Sequence, residues 1–257
     1  MYLSLPSDAC GDVFETNKVG HYKTQLAHEI ALSDGKYEAA LSSLHWPHTH
    51  HNVQGFRLTL KVPDPPNPLI WLHGLVDSQR CDDVEALLNE LNRVLLSITG
   101  TWEVTATPQV YFETRGGKVG FFKTDTAIRD TYTVKLPKRI GVKLGYAGLE
   151  PVFWVMTGTL APRSPDLNGD YATMELRCDL IQPTRIMGDK FEPVLAVIPL
   201  QGAYGGRVFH EVEHREYFPI RLGHVKEIEL QLVDSAGDTM RFNAGRVTAD
   251  IHIKRAA

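Results

Sequence analysis

Apolar and polar residues alternate strictly in two runs near the C-terminus. In Ile228-Glu229-Leu230-Gln231-Leu232 the even positions are apolar; in Val247-Thr248-Ala249-Asp250-Ile251-His252-Ile253 the odd positions are. Successive strand side chains point to opposite sides, so each run predicts a strand with one dry face and one wet face. The parity differs between the two runs, and Asn243-Ala244-Gly245 is expected to reset the register. Asp234-Ser235-Ala236-Gly237-Asp238 reads as a turn. Upstream, Glu175–Ile181 and Val194–Leu200 predict two more strands, separated by the turn-rich stretch Gln182–Asp189.

The rest of the chain follows the same pattern. Strands are expected at Tyr2–Leu5, His21–Leu26, Tyr37–Leu44 and Phe56–Val62. Ser33-Asp34-Gly35 leads into the third, Pro47 ends its pairing, and Asp64–Pro68 stops the fourth. Val84, Leu87, Leu88, Leu91 and Leu95 recur at helical spacing and predict one helix over about 82–96, with Asp82 and Glu85 as a capping pair. Strands resume at Trp102–Thr107, Val110–Arg115, Lys118–Lys123, Tyr132–Leu136 and Val152–Met156. Gly116-Gly117 joins two of them as a hairpin. Arg139–Tyr146 fits a short helix or a strand, and Ala161–Asp170 is an exposed loop. Many short strands with one inserted helix predict an all-β fold, a single jelly-roll β-sandwich over 1–257.

Composition narrows the function classes. The 257 residues are 43% apolar and 23% charged, enough to bury a full core. The net charge is −4 and neither end carries a basic block, so direct nucleic-acid binding is not expected. Three scattered cysteines (Cys10, Cys81, Cys178) predict reduced thiols rather than a disulfide framework. No signal peptide is read at Met1–Pro6, and no apolar run approaches the roughly 20 residues of a membrane helix.

Four blocks carry a resemblance to a known family. The first is Tyr22-Lys23-Thr24-Gln25-Leu26 followed by Lys36-Tyr37-Glu38-Ala39-Ala40-Leu41 and Trp46-Pro47-His48. The second is the helix from Val84 to Leu95. The third and densest runs through Cys178-Asp179-Leu180-Ile181-Gln182-Pro183, Ile186-Met187-Gly188-Asp189, Val194–Pro199 and Gly202-Ala203-Tyr204-Gly205. The fourth joins Tyr217-Phe218-Pro219-Ile220 to Ile228-Glu229-Leu230 and Phe242–Val247. In these blocks the chain resembles the penton-type minor capsid proteins of Maverick/Polinton elements and adintoviruses, which are related to virophage vertex proteins. His50-His51, Asp64–Pro68 and much of 97–172 depart from the pattern, and an outward-facing insertion is expected within 97–172. The resemblance implies a structural protein without a cofactor. It would be made inside a host cell and placed in the virion as a homopentamer at the five-fold vertices, beside trimers of a double-jelly-roll major capsid protein.

Some residues could instead mean chemistry. His210-Glu211-Val212-Glu213-His214 is a literal HExxH, which binds zinc only on a helix, where both imidazoles share a face. Gly205-Gly206, Pro219 and the alternation of Val208, His210 and Val212 predict a strand there instead. His45, His48, His50 and His51 cluster, and His48 and His50 would share a face if extended. The glutamate that a metal-binding cupin places next is absent. His48, His50, His210 and His214 are therefore the metal-ligand candidates. Asp166, Asn168 and Asp170, and Asp234 with Asp238, could hold calcium, but turn chemistry accounts for both groups. His45, Trp46, His48, Asp166 and Asn168 are candidates for interaction loops. Two other functions compete with the capsid reading: a jelly-roll module binding a glycan or host receptor, and a zinc metalloenzyme using the HExxH stretch.

Overall fold

The all-β expectation holds in a computed structural model of the chain. The structure describes residues 1–32, 36–62, 70–100, 110–124, 132–146, 152–169, 172–187, 189–221, 223–235 and 237–256. The elements begin with β1 (Tyr2–Pro6), β2 (His21–Ala31), β3 (Tyr37–Pro47), β4 (Phe56–Val62), β5 (Ile70–Val76) and α1 (Val84–Gly100). They continue with β6 (Val110–Arg115), β7 (Lys118–Lys123), β8 (Thr133–Pro137), α2 (Lys138–Lys143), β9 (Val152–Met156) and β10 (Thr159–Leu160). The last are β11 (Thr173–Cys178), β12 (Arg185–Met187), β13 (Lys190–Glu192), β14 (Val194–Pro199), β15 (Arg207–Glu211), β16 (Phe218–Pro219), β17 (His224–Asp234) and β18 (Thr248–Arg255). The turn at Ser33–Gly35, the break at Asp64–Pro68 and the strand at Trp102–Thr107 fall outside the described residues, as does Asp170.

The chain divides into two compact units, Met1–His51 with Asp170–Ala257, and Asn52–Gly169. The second unit begins well before residue 97, and the jelly-roll sheets draw their strands from Met1–His51 and Asp170–Ala257. The reason is the apolar stripe of α1. Leu87, Leu88, Leu91 and Leu95 bury against strands of the second unit, so the helix belongs there.

In the first unit, one antiparallel sheet runs β1-β18-β3-β15, with β16 also on β3; the other runs β14-β11-β17-β2. Numbered by their place among this unit's eight main strands, the sheets read 1-8-3-6 and 5-4-7-2. That order is a jelly roll, two sheets wound as Greek keys over one core. Leu41, Leu44, Ala249 and Ile251 from one sheet meet Leu176, Ile198, Ile228, Leu230 and Leu232 from the other. Tyr22 is buried with them, and its hydroxyl donates to the Leu5 carbonyl at 2.9 Å, so its polar tip is satisfied.

The parity change between the last two alternating runs has a different cause from the one expected. β17 and β18 lie in different sheets, and each presents its apolar face to the core from the opposite side. The Asn243–Gly245 stretch therefore carries the chain from one sheet to the other, with no register of a common sheet to reset. Gly245 has φ +108, and a Cβ there would sit 2.7 Å from Pro47 Cβ. A true register adjustment occurs in β3. Ser43 pairs with Asp250 and Leu41 with Ile251, so Ser42 is an extra bulged residue.

The second unit holds the sheets β5-β4-β8-β9 and β10-β7-β6 with both helices. The cap of α1 is Asp83, whose carboxylate accepts from the Ala86 amide at 2.8 Å; Asp82 instead faces Arg80. The stretch Arg139–Tyr146, readable either way in sequence, carries α2. Gly74 lies on the face of β5 under α1, where a Cβ would collide with Val94. Asn92 of α1 binds the backbone of Phe112 on edge strand β6 from both sides, through Nδ2 to the carbonyl (2.9 Å) and Oδ1 to the amide (2.7 Å).

Candidate assembly surfaces

The structure separates the residues that the sequence grouped together at His45–His51. His45 and Trp46 lie within β3 rather than on a loop, and Trp46 is fully buried in the core. The bulge at Ser42 sets their parity, and simple alternation could not reveal it. His45 faces outward, opposite Phe209 of β15, with ring centroids 4.4 Å apart. His48 continues the ladder. Its amide donates to the Gly206 carbonyl (2.8 Å) and its carbonyl accepts from Gly205 (2.9 Å).

His48 and His50 do share a side. Their rings stack with centroids 4.9 Å apart, both residues are buried, and Tyr204 stands edge-on to His48 at 6.4 Å. Two imidazoles are present where a metal site needs a fuller ligand set. Among the described residues, no group of three His, Cys, Asp or Glu is placed to hold a metal ion. His210 sits on β15 opposite Leu44, and His214 follows beyond the strand's end. The HExxH stretch is therefore strand and bend, without the helix that would aim both imidazoles at one ion.

Three connections of the jelly roll meet beside this segment. The Asn243 amide donates to the Thr49 carbonyl (3.0 Å), its Nδ2 donates to the Tyr204 hydroxyl (2.7 Å), and its Oδ1 faces the His51 ring. One exposed asparagine thus ties together the exit of β3, the β14–β15 connection and the β17–β18 connection. Asp234 and Asp238 close their own turn: the Asp238 amide donates to Asp234 Oδ1 (3.0 Å) and the Asp234 amide to the Asp238 carbonyl (2.9 Å). Asp166 and Asn168, in the second unit, do likewise, the Asn168 amide donating to Asp166 Oδ1 at 3.0 Å. Asn168 Oδ1 also accepts from Asn52 (3.2 Å).

The outer faces of the two jelly-roll sheets differ in chemistry. On the β14-β11-β17-β2 sheet, Glu229 is reached by His21 Nε2 (2.5 Å) and Lys23 Nζ (3.0 Å). Burial alone would raise its carboxyl, but those two contacts hold it below the ordinary range. Asp179 accepts from the Glu229 amide at 2.8 Å, and burial pushes its own carboxyl up. Arg177 bridges Glu175 (3.1 Å) and Glu192 (3.3 Å), which fixes the β12–β13 hairpin to β11. That hairpin displays a cross-strand apolar pair, Ile186 opposite Phe191, 77% and 59% exposed.

On the other sheet, Phe209 is 56% exposed beside a groove of about 410 Å³ lined by Ser4, His45, Arg246, Thr248 and Asp250. Asp250, one of the lining residues, accepts from the Ser43 hydroxyl at 2.6 Å. These apolar side chains, held outward on paired strands, leave apolar surface on the hairpin and on β15 open to another molecule. Sequence reading missed Ile186, Phe191 and Phe209. Ile186 sits in a turn-rich stretch, where an apolar residue carries no periodic signal. Phe209 occupies an outward parity position, between Val208 and His210, and that parity was the available clue.

No family model and no curated protein matches the chain. Among solved structures, the chain is similar to the mavirus penton protein, seen in a crystal structure of the selenomethionine-labelled form. Identity is 9% over 100% of this chain and 99% of that one, with a TM-score of 0.45. It is also similar to a chain in the structure of the Sputnik virophage determined by cryo-EM. Identity there is 11% over 98% of this chain and 96% of that one, with a TM-score of 0.38. Likeness at this level leaves function to be argued from the strand order and the surfaces described above.

Proposed function

We propose that this chain is a structural capsid protein, a penton that closes the five-fold vertices of an icosahedral virus shell as a homopentamer. Its neighbours are trimers of a double-jelly-roll major capsid protein, and it catalyses no reaction. The observation that carries the reading is the jelly roll with apolar side chains held outward on its rigid parts, Ile186 and Phe191 on one hairpin and Phe209 on one strand. A ring of identical subunits covers such surfaces, because a heterologous interface closes on itself when the rotation fits. The four sequence blocks that resemble penton proteins add the vertex and the pentamer, and the densest block contains the Ile186 hairpin.

Co-expression with the major capsid protein tests the reading. The expected particles are closed icosahedral shells with density for this chain at the five-fold positions. Shells that close equally well without it, or that never incorporate it, would overturn the vertex assignment.

A further inference from the structure

The outer face of the β5-β4-β8-β9 sheet carries a second surface, in the inserted unit. Register places its outward positions in rows. Trp71, Lys61, Thr133 and Met156 follow one another across the four strands, and His73, Thr59, Lys135 and Trp154 form the next row. Trp71 and Trp154 lie on the two edge strands, three strand spacings apart, or about 14 Å. Their ring centroids are nevertheless only 5.6 Å apart, at an interplanar angle of 63°. Both indoles must therefore lean inward over the central strands. They enclose a cleft of about 320 Å³ with Lys61 and Thr133 on its floor and Met156 at its side. Both rings stay about half exposed, 45% for Trp71 and 48% for Trp154.

Charge is one-sided here. Lys61 Nζ lies 5.8 Å from the Trp71 ring centre and Lys135 Nζ lies 5.6 Å from that of Trp154. Arg57 is the outward residue of β4 beside Leu75. Among the described residues, no outward position of these four strands is acidic.

We propose that this cleft binds a carboxylated sugar ring at the end of a glycan. An indole presents a flat apolar face to the C–H side of a pyranose, and two indoles at a steep angle grip a ring from two sides. The lysine ammonium groups meet the carboxylate, and the Thr133 hydroxyl meets ring hydroxyls. The volume lies at the small end of ligand pockets, which suits one terminal residue rather than a protein partner's extended surface. The proposal does not depend on the vertex assignment, since the platform lies wholly in the inserted unit.

Saturation-transfer NMR and titration of the purified chain with sialyllactose, against lactose and heparin, test this. The expected result is binding of sialyllactose over lactose, about tenfold weaker in Trp71→Ala and in Trp154→Ala and weakened again in Lys61→Ala, whose ammonium lies on the cleft floor. Thermal melts of the three variants should remain single cooperative transitions, lowered in the two tryptophan changes because about half of each ring is buried, and binding is compared at a temperature where all are folded. Four results would each overturn the proposal. They are no saccharide binding, equal binding of lactose, heparin binding indifferent to both tryptophan changes, and a self-association that the tryptophan changes abolish.

Discussion

Asn92 and Phe112 exchange two hydrogen bonds, the amide side chain of helix α1 standing in for a missing strand beside β6. An edge strand's free backbone groups are a liability unless covered, and here one side chain satisfies both groups of a single residue. Asn92→Ala leaves both unpaired in a half-buried setting. It should lower stability by about 2 kcal/mol, read from the urea midpoint. Asn89→Ala, on the same helix, should change it by less than about 0.5 kcal/mol.

Gly245 and Gly205 separate backbone strain from steric fit. Both have positive φ, but a Cβ on Gly245 meets Pro47 while one on Gly205 meets nothing within 4 Å. Gly205→Ala should cost about 1 kcal/mol from its backbone alone. Gly245→Ala should cost clearly more, about 2–4 kcal/mol, because Pro47 must also move. Paired denaturation curves of the two variants check the difference.

The acid limb of stability should depend on Glu229. Its folded carboxyl lies below the ordinary value of 4.5, so it contributes stability above that value and loses it as pH falls through the lowered one. Glu229→Gln should flatten the loss of stability below pH 4.5 and lower stability at neutral pH. Urea midpoints measured across this pH range report both effects. Asp179 has the opposite sign: its carboxyl is raised by burial, so its ionisation disfavours the fold as pH rises.

Thiol reactivity should follow burial. Burial pushes Cys81 up to about 11 and Cys178 up to about 12, while Cys10 is only partly buried. Iodoacetamide at pH 8 should label Cys10 first in the folded chain, and the other two only after denaturation, as seen by peptide mass spectrometry.

Ile186 and Phe191 should matter for association and little else. Their side chains are exposed, so Ile186→Ser and Phe191→Ser should move protomer stability by less than about 0.5 kcal/mol. Each should nonetheless weaken ring formation severely, measured by mass photometry against protein concentration.

Strict alternation was enough to place β17 and β18 and to name their buried residues, because both strands have one wet side. The helix stripe from Leu87 to Leu95 was equally plain, since 3.6-residue spacing has little competition. What alternation could not show was which sheet each strand joins. The parity change between Leu232 and Ala249 reads the same for a register slip and for a change of sheet. The Ser42 bulge likewise hid that Trp46 points inward. Boundaries of the inserted unit were illegible because α1 and β4 declare an apolar face without declaring what covers it. The outward tryptophans are not legible in the sequence: no strand is read over 70–76, where apolar residues fall at both parities, and Trp154 stands among apolar neighbours in Val152–Met156.

The mass of the purified protein in solution bears most directly on the central claim. Light scattering across a concentration series should give a species of five times the 28.8 kDa protomer, seen as five-fold rings by negative stain. A protein that stays monomeric at every concentration, and still does so with the major capsid protein present, would contradict the account.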